Sequence, residues 1–300
     1  MDIYINKLIH NLPDKYFGDI DLVLDGGAFS GSYILGTLHY IKTLENQNRI
    51  KINRMSGCSI GSILCILYKL NELDYCSEVY SKIRDYFKDN GNLFIIAEIM
   101  KELLKKMPKN FYKSCNNKIY LSYYDIENNS YIVKKKFKNN RDIAETILRS
   151  SYIPLICGKS ILHKNKYLDG LKPYVFKGNK TLFINLCMDY KCISGMLNIK
   201  NEINNMERIL SGVLDIHKLF ITNIPTNMCY FIDNMRFYQK ILHIFRLILI
   251  YVVTSIFYLV YHGFNIVKSH PNFIKYNYFL KIIKTYFKKL VYTYMRCFMV

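Results

Sequence analysis

Residues 54–64, Arg-Met-Ser-Gly-Cys-Ser-Ile-Gly-Ser-Ile-Leu, constrain the fold more tightly than any other stretch of the chain. They read as a strand end, a Gly-x-Ser-x-Gly turn and the start of an apolar helix, which Ile63, Ile66, Leu67 and Leu70 continue at helical spacing. A strand-to-helix elbow holds its central residue, Ser59, in a strained backbone conformation, and Gly57 and Gly61 keep side-chain bulk away from it. A serine hydroxyl is a poor nucleophile unless the backbone presents it sharply and a base takes its proton. Ser59 is therefore the candidate nucleophile. Cys58 and Ile60 complete the elbow, and the frame makes Cys58 a packed neighbour rather than a catalytic thiol.

A second turn of the same kind lies about thirty residues upstream. Ile20 to Leu24 form a short buried strand that runs into Asp25-Gly26-Gly27-Ala28-Phe29-Ser30-Gly31, and a helical pattern follows at Ile34, Leu38, Ile41 and Leu44. A glycine-rich turn at a helix start gathers unpaired backbone N–H groups and the positive end of the helix dipole, so it binds an anion. A phosphate loop would carry Lys followed by Ser or Thr after its last glycine, and a dinucleotide site would read Gly-x-Gly-x-x-Gly. Neither pattern is met. The oxyanion of a tetrahedral intermediate, formed at Ser59, is the remaining anion.

The third piece supplies an acid. After a helix over about 142–150 come Ser150-Ser151-Tyr152-Ile153-Pro154, then Ile161-Leu162, a Lys/Asn turn and Tyr167-Leu168-Asp169-Gly170. This reads as a hairpin that delivers Asp169 at a strand end beside a glycine, although an Asp-Gly pair is also an ordinary turn. A free aspartate titrates near 3.9 and is a feeble base, so Asp169 must be partly desolvated and within reach of Ser59 to serve. Elsewhere, residues 1–18 contain a short helix ended by Pro13, and 75–111 are helical and cover the sheet or the site. The runs 118–124 and 131–137 form a hairpin around Glu127-Asn128-Asn129-Ser130.

Taken together, Asp-Gly-Gly-Ala-Phe-Ser-Gly at 25–31, Gly-Cys-Ser-Ile-Gly at 57–61 and Ser-Ser-Tyr-Ile-Pro followed by Asp169-Gly170 resemble the patatin-like phospholipases over roughly residues 20–189. The resemblance implies a three-layer α/β/α fold with a central, mostly parallel sheet, and a Ser-Asp dyad that hydrolyses acyl esters of lipids. By that resemblance Ser59 is the nucleophile and Asp169, with Gly170 beside it, the base. The N–H groups of Gly26, Gly27 and Ala28 form the oxyanion loop that Gly31 closes. No histidine, cofactor, nucleotide or metal is implied. The chain departs from the family in three places. Ala28 stands where a third glycine is usual, Ser30 replaces an Arg or Lys, and Leu171 replaces a small residue. If position 28 needs φ > 0, its methyl costs about 1–2 kcal/mol. Two other readings stay open: a triad completed by a histidine such as His217, and a degenerate family member that binds membrane without turnover.

The remaining signal is charge. The formal charge of +19 points to an anionic partner, and from Arg236 onward the chain carries ten Lys and Arg and no Asp or Glu. Residues 236–300 are therefore set apart as a basic, hydrophobic tail behind a domain spanning 19–235. Within the tail, 247–261 is uncharged and extends to 267 if His262 and Asn265 are tolerated, a length that can span a bilayer, with Arg246 and Lys268 placed to snorkel. Basic flanks on both sides leave its orientation unassigned. In 273–300, Lys281, Lys284 and Lys288 share one helical face and Leu280, Ile283, Phe287 and Leu290 another, which suits an anionic membrane surface. RNA is the rival partner, but this much aliphatic bulk is excessive for base stacking. Nine cysteines without a secretory leader predict an intracellular, membrane-associated protein with free thiols, and Cys187 and Cys192 lack a second pair for zinc. Oligomeric state is left open.

Overall fold

The computed structural model describes residues 1–269 together with 285, 289 and 293. The basic face expected over 273–300 lies outside these residues. In chain order the first half comprises α1 (Asp2–His10), β1 (Asp19–Leu24), α2 (Gly31–Asn46), β2 (Lys51–Cys58), α3 (Ile60–Leu70), α4 (Tyr75–Asn90), α5 (Ile96–Lys106) and α6 (Phe111–Cys115). Then follow β3 (Ile119–Asp125), β4 (Ser130–Lys134), α7 (Asn140–Ser150), β5 (Tyr167–Leu168), β6 (Thr181–Ile184), α8 (Tyr190–Ser194), α9 (Met206–Thr222), β7 (Cys229–Phe231) and α10 (Phe237–Ser269).

Six strands are ordered β4-β3-β2-β1-β6-β7, and β5 pairs with β3 off this path. The central pairs β1/β2, β1/β6 and β2/β3 are parallel, whereas β3/β4, β3/β5 and β6/β7 are antiparallel. The sheet is thus mixed, with mostly parallel strands and helices flanking it, the architecture that the family resemblance implies. The expected hairpin over 161–170 is different in detail. Its second strand, β5, pairs with β3 through Tyr124↔Leu168 and Asp125↔Tyr167, and only a single bridge, His163↔Tyr167, joins it to its own first arm.

Alternation along β1 sorts the two faces. Ile20, Leu22 and Leu24 enter the main core with Ile34 and Leu38 of α2, Ile66 of α3, Ile147 of α7 and Val213 of α9, and Ile5 and Ile9 of α1 join the same cluster. Val23 points the other way, into a smaller cluster with Phe176, Phe183 and Tyr230. That second face is crossed by the strap 171–176. The strap is tied down by Ser122 Oγ donating to the Lys172 carbonyl (2.6 Å) and by the Tyr174 N–H donating to Ser56 Oγ (2.9 Å). Two aspartates of the β1 segment, Asp21 and Asp25, are fully buried on this face. Asp21 pairs with Arg54.

The register Leu24↔Gly57 sets the carboxyl ends of β1 and β2 side by side, so the glycine turn after β1 and the elbow after β2 open at one edge. Such crevices, at the carboxyl ends of parallel strands, are where α/β sheets place ligands. Gly61 allows the approach: a Cβ there would stand 2.5 Å from the Asp25 carbonyl oxygen and 2.6 Å from that of Leu24.

Helix α10 lies against the domain along one stripe. Gln239 donates to the Thr226 carbonyl at 2.8 Å, His243 meets Phe183 edge-on, Thr254 is buried, and Phe257 and Tyr261 pack against Ile126, Leu162 and Leu168. Steps of four, eleven, three and four residues separate these positions, which keeps them on one face of a helix. Away from that stripe, Phe237, Ile241, Phe245, Ile248, Ile256 and Leu259 are exposed.

Candidate active site

Ser59 sits between β2 and α3 with φ +51° and ψ −127°, a conformation that costs an L-residue free energy and persists only where its surroundings overdetermine it. They do. Its N–H donates to Ser150 Oγ at 3.0 Å, and its carbonyl accepts from the Ser62 hydroxyl at 2.6 Å and from the Ser151 hydroxyl at 3.1 Å. Ser150, in turn, donates its hydroxyl to the Ser122 carbonyl (2.6 Å), and its own carbonyl accepts from the Gly170 N–H (3.0 Å). One serine at the end of α7 therefore fixes the elbow, the middle of β3 and the turn that carries Asp169. The Ser-Ser pair is visible in the sequence, but nothing there assigns it this bracing role.

Asp169 follows β5 directly, and the Ser59 hydroxyl is near enough to bear on its titration. Burial pushes its carboxyl up to about 7 against an ordinary 3.8, while the Ser59 hydroxyl and the Gly170 N–H hold it lower and the negative charge of Asp25 adds to the rise. The residue is half-buried, yet its Oδ1 is buried with no hydrogen-bond partner among the described residues. Gly170 is required beside it, since a Cβ there would stand 2.0 Å from the Ser122 carbonyl oxygen.

The glycine loop differs from expectation at its first residue. The Gly26 N–H donates to Asp25 Oδ1 at 2.8 Å, so it is committed to the buried carboxylate and is not free for an oxyanion. Among the described residues, the N–H groups of Gly27 and Ala28 have no acceptor. Ala28 has φ +45°, the left-handed region, so the condition for a methyl penalty is met. Gly31 begins α2. The hydroxyl of Ser30, which stands where the family has a cation, donates to the Cys192 carbonyl at 2.6 Å and lies 3.4 Å from Arg208 Nη1. A guanidinium from α9 thus reaches this spot from 178 residues away. Nothing in the sequence around Arg208 signals that contact.

A narrow cleft with a cavity volume of about 70 Å³ opens at Ser59. Ala28 and Ser59 stand at one end, and Ile63, Val79, Ile83 and Met100 are among the carbon-rich side chains that line the rest. The segment 75–111 does cover the site, since α4 and α5 furnish much of this wall. Cys58 is fully buried and burial drives its thiol well above its ordinary range, so it holds no thiolate.

His217 is placed elsewhere. Its Nδ1 is paired with the Tyr40 hydroxyl at 2.8 Å, between α9 and α2, and among the described residues no histidine lines the cleft.

The profile of the Patatin-like phospholipase family matches residues 22–171, half of the chain, from β1 through the residue after Gly170. The chain belongs to this family. It is also 28% identical over 199 residues to the "Probable lipid hydrolase 463L" of Invertebrate iridescent virus 6, a match covering 57% of this chain and 65% of that protein. The family match therefore contains the elbow, the glycine loop and the Asp169 turn, and it stops before α8, α9 and α10.

Proposed function

We propose that this protein is a lipid acyl hydrolase that cleaves carboxylic esters of phospholipids or lysophospholipids at a membrane surface, with Ser59 and Asp169 as a catalytic dyad. The reading is carried by the pairing of a strained serine that opens on an apolar cleft with a carboxyl that burial raises and whose Oδ1 lacks a hydrogen-bond partner. Ser59 Oγ attacks the acyl carbonyl while Asp169 takes its proton, and the oxyanion is received by the N–H groups of Gly27 and Ala28. Collapse of the tetrahedral intermediate breaks the ester C–O bond, and Asp169 returns the proton to the departing alcohol. Water then attacks the acyl-enzyme, again giving a proton to Asp169, and the fatty acid leaves with Ser59 restored. The apolar cleft suits an acyl chain. An aspartate raised towards 7 suits the role, because a base near the working pH both accepts and returns a proton.

Membrane association is supported by α10. Its segment Phe237–Gly263 has a mean hydropathy of 2.1 and is largely unburied, and it is long and apolar enough to cross a membrane. The stripe from Gln239 to Tyr261 packed on the domain favours a helix lying on the bilayer, with its exposed apolar side towards the lipid. A triad has no comparable support, since the imidazole of His217 is engaged by Tyr40. Treatment with a serine-directed fluorophosphonate followed by peptide mass spectrometry tests the nucleophile. Modification of Ser59, absent in Ser59→Ala, is expected. A folded protein left unmodified would overturn the dyad.

A further inference from the structure

The sequence sets Arg246 at the edge of the apolar segment as a snorkelling residue, but the structure turns it inward. Its side chain is only 14% exposed, and its guanidinium grips Asp25 at both oxygens, Nη2 to Oδ1 at 2.7 Å and Nη1 to Oδ2 at 2.8 Å. The same Nη2 donates to the Leu171 carbonyl at 2.8 Å, and Nη1 lies 3.4 Å from Asn185 Oδ1. Burying both ions costs several kcal/mol each, and only good geometry with further hydrogen bonds offsets this. The two carboxylate contacts and the Leu171 carbonyl meet that condition.

Both ends of this clamp belong to the site. Asp25 immediately precedes the glycine loop and holds the Gly26 N–H, which fixes the direction in which the next two N–H groups point. Leu171 ends the turn that begins at Asp169, its N–H donating to the Asp169 carbonyl at 3.0 Å. The Leu171 side chain also packs on the same small cluster as Phe257 and Tyr261 of α10. One helix therefore holds both the oxyanion loop and the base turn, from outside the residues that the family profile matches.

We propose that Arg246 is a positioning residue for catalysis, and that α10 is part of the catalytic unit rather than a detachable membrane anchor. The proposal rests on the hydrolase reading. An anchor would act on substrate supply and leave a water-soluble ester unaffected. A clamp acts on the chemical step whatever the substrate.

The test is hydrolysis of a short-chain p-nitrophenyl ester below its micelle concentration, with folding checked by denaturant unfolding. Three full-length variants are compared with the parent. Arg246→Met leaves Asp25 as an unpaired buried anion and is expected to unfold readily. Asp25→Asn combined with Arg246→Met removes both charges, a change that is often neutral for stability, and keeps an oxygen for the Gly26 N–H. This double variant is expected to regain parental stability and KM while kcat stays 10- to 100-fold down, because the Leu171 tie is missing. Arg246→Lys keeps the charge without the fork and is expected to fold and lose about tenfold in kcat. Parental kcat in a folded double variant, or in Arg246→Lys should the double variant not fold, would overturn the proposal. A folded parent that neither turns over the ester nor reacts with a fluorophosphonate would overturn the hydrolase reading beneath it.

Discussion

Replacing Asp169 with Asn removes an ionised group that folding has to bury, and the effect has a definite sign with pH. The folded carboxyl titrates near 7 against an ordinary 3.8. A raised acid binds its proton more tightly in the folded state, so stability is lost as pH rises from about 4 through 7 and changes no further above that. At about 1.4 kcal/mol per pH unit, the full interval corresponds to about 4 kcal/mol. Roughly 2–3 kcal/mol of it falls between pH 5 and pH 8, and the partial exposure of Asp169 favours the lower figure. The neutral amide of the Asp169→Asn variant carries no such loss. The advantage of Asp169→Asn over the parent is therefore expected to be about 2 kcal/mol larger at pH 8 than at pH 5, with hydrolysis abolished at both. Urea unfolding of the two proteins in one mild detergent measures this, and taking the difference cancels all other titrating groups. An advantage that is the same at both pH values to within about 0.5 kcal/mol would refute the raised carboxyl.

Three more outcomes follow from the site. The rate of ester hydrolysis is expected to climb as pH passes through about 7, since Asp169 must be ionised to act; a profile flat from pH 5 to 8 would contradict this. Ala28→Gly relieves a left-handed alanine and is expected to raise stability by about 1 kcal/mol, seen as a higher unfolding midpoint without loss of kcat; a lower midpoint would show that the methyl is accommodated. Ser150→Ala strands the Ser59 N–H and frees the Ser122 carbonyl, so a loss of about 1–3 kcal/mol in stability and a drop in kcat with little change in KM are expected. Parental kinetics in that variant would argue that the elbow holds itself.

The parts of the site that could be read from the sequence are those built by local chain geometry. Gly57, Gly61 and the apolar spacing after Ser59 specify a strand, an elbow and a helix within eleven residues. The strand from Ile20 to Leu24, with its glycine turn, specifies the neighbouring unit. Their adjacency then follows from parallel pairing of β1 and β2. Asp169 was legible only as an acid beside a glycine at a strand end, and its elevated carboxyl depends on burial that no local pattern encodes. Arg246 was misjudged for a physical reason. In a linear sequence an arginine beside an apolar run looks solvated, and its partner Asp25, 221 residues away, looks like part of a turn. The engagement of the Gly26 N–H is hidden for a related reason, because only the buried Asp25 side chain reveals its acceptor. Arg208 and Ser150 likewise act through hydrogen bonds to residues distant in sequence, which leave no periodic trace.

The central claim, that Ser59 and Asp169 together hydrolyse lipid esters, is met most directly by fatty acid release from phospholipid vesicles containing anionic lipid. Full-length parent, Ser59→Ala and Asp169→Ala would be compared after circular dichroism has shown all three folded. Release by the parent, reduced at least a thousandfold in each variant, is the expected result. Release that survives either substitution, or a folded parent that binds the vesicles and frees no fatty acid, would contradict it.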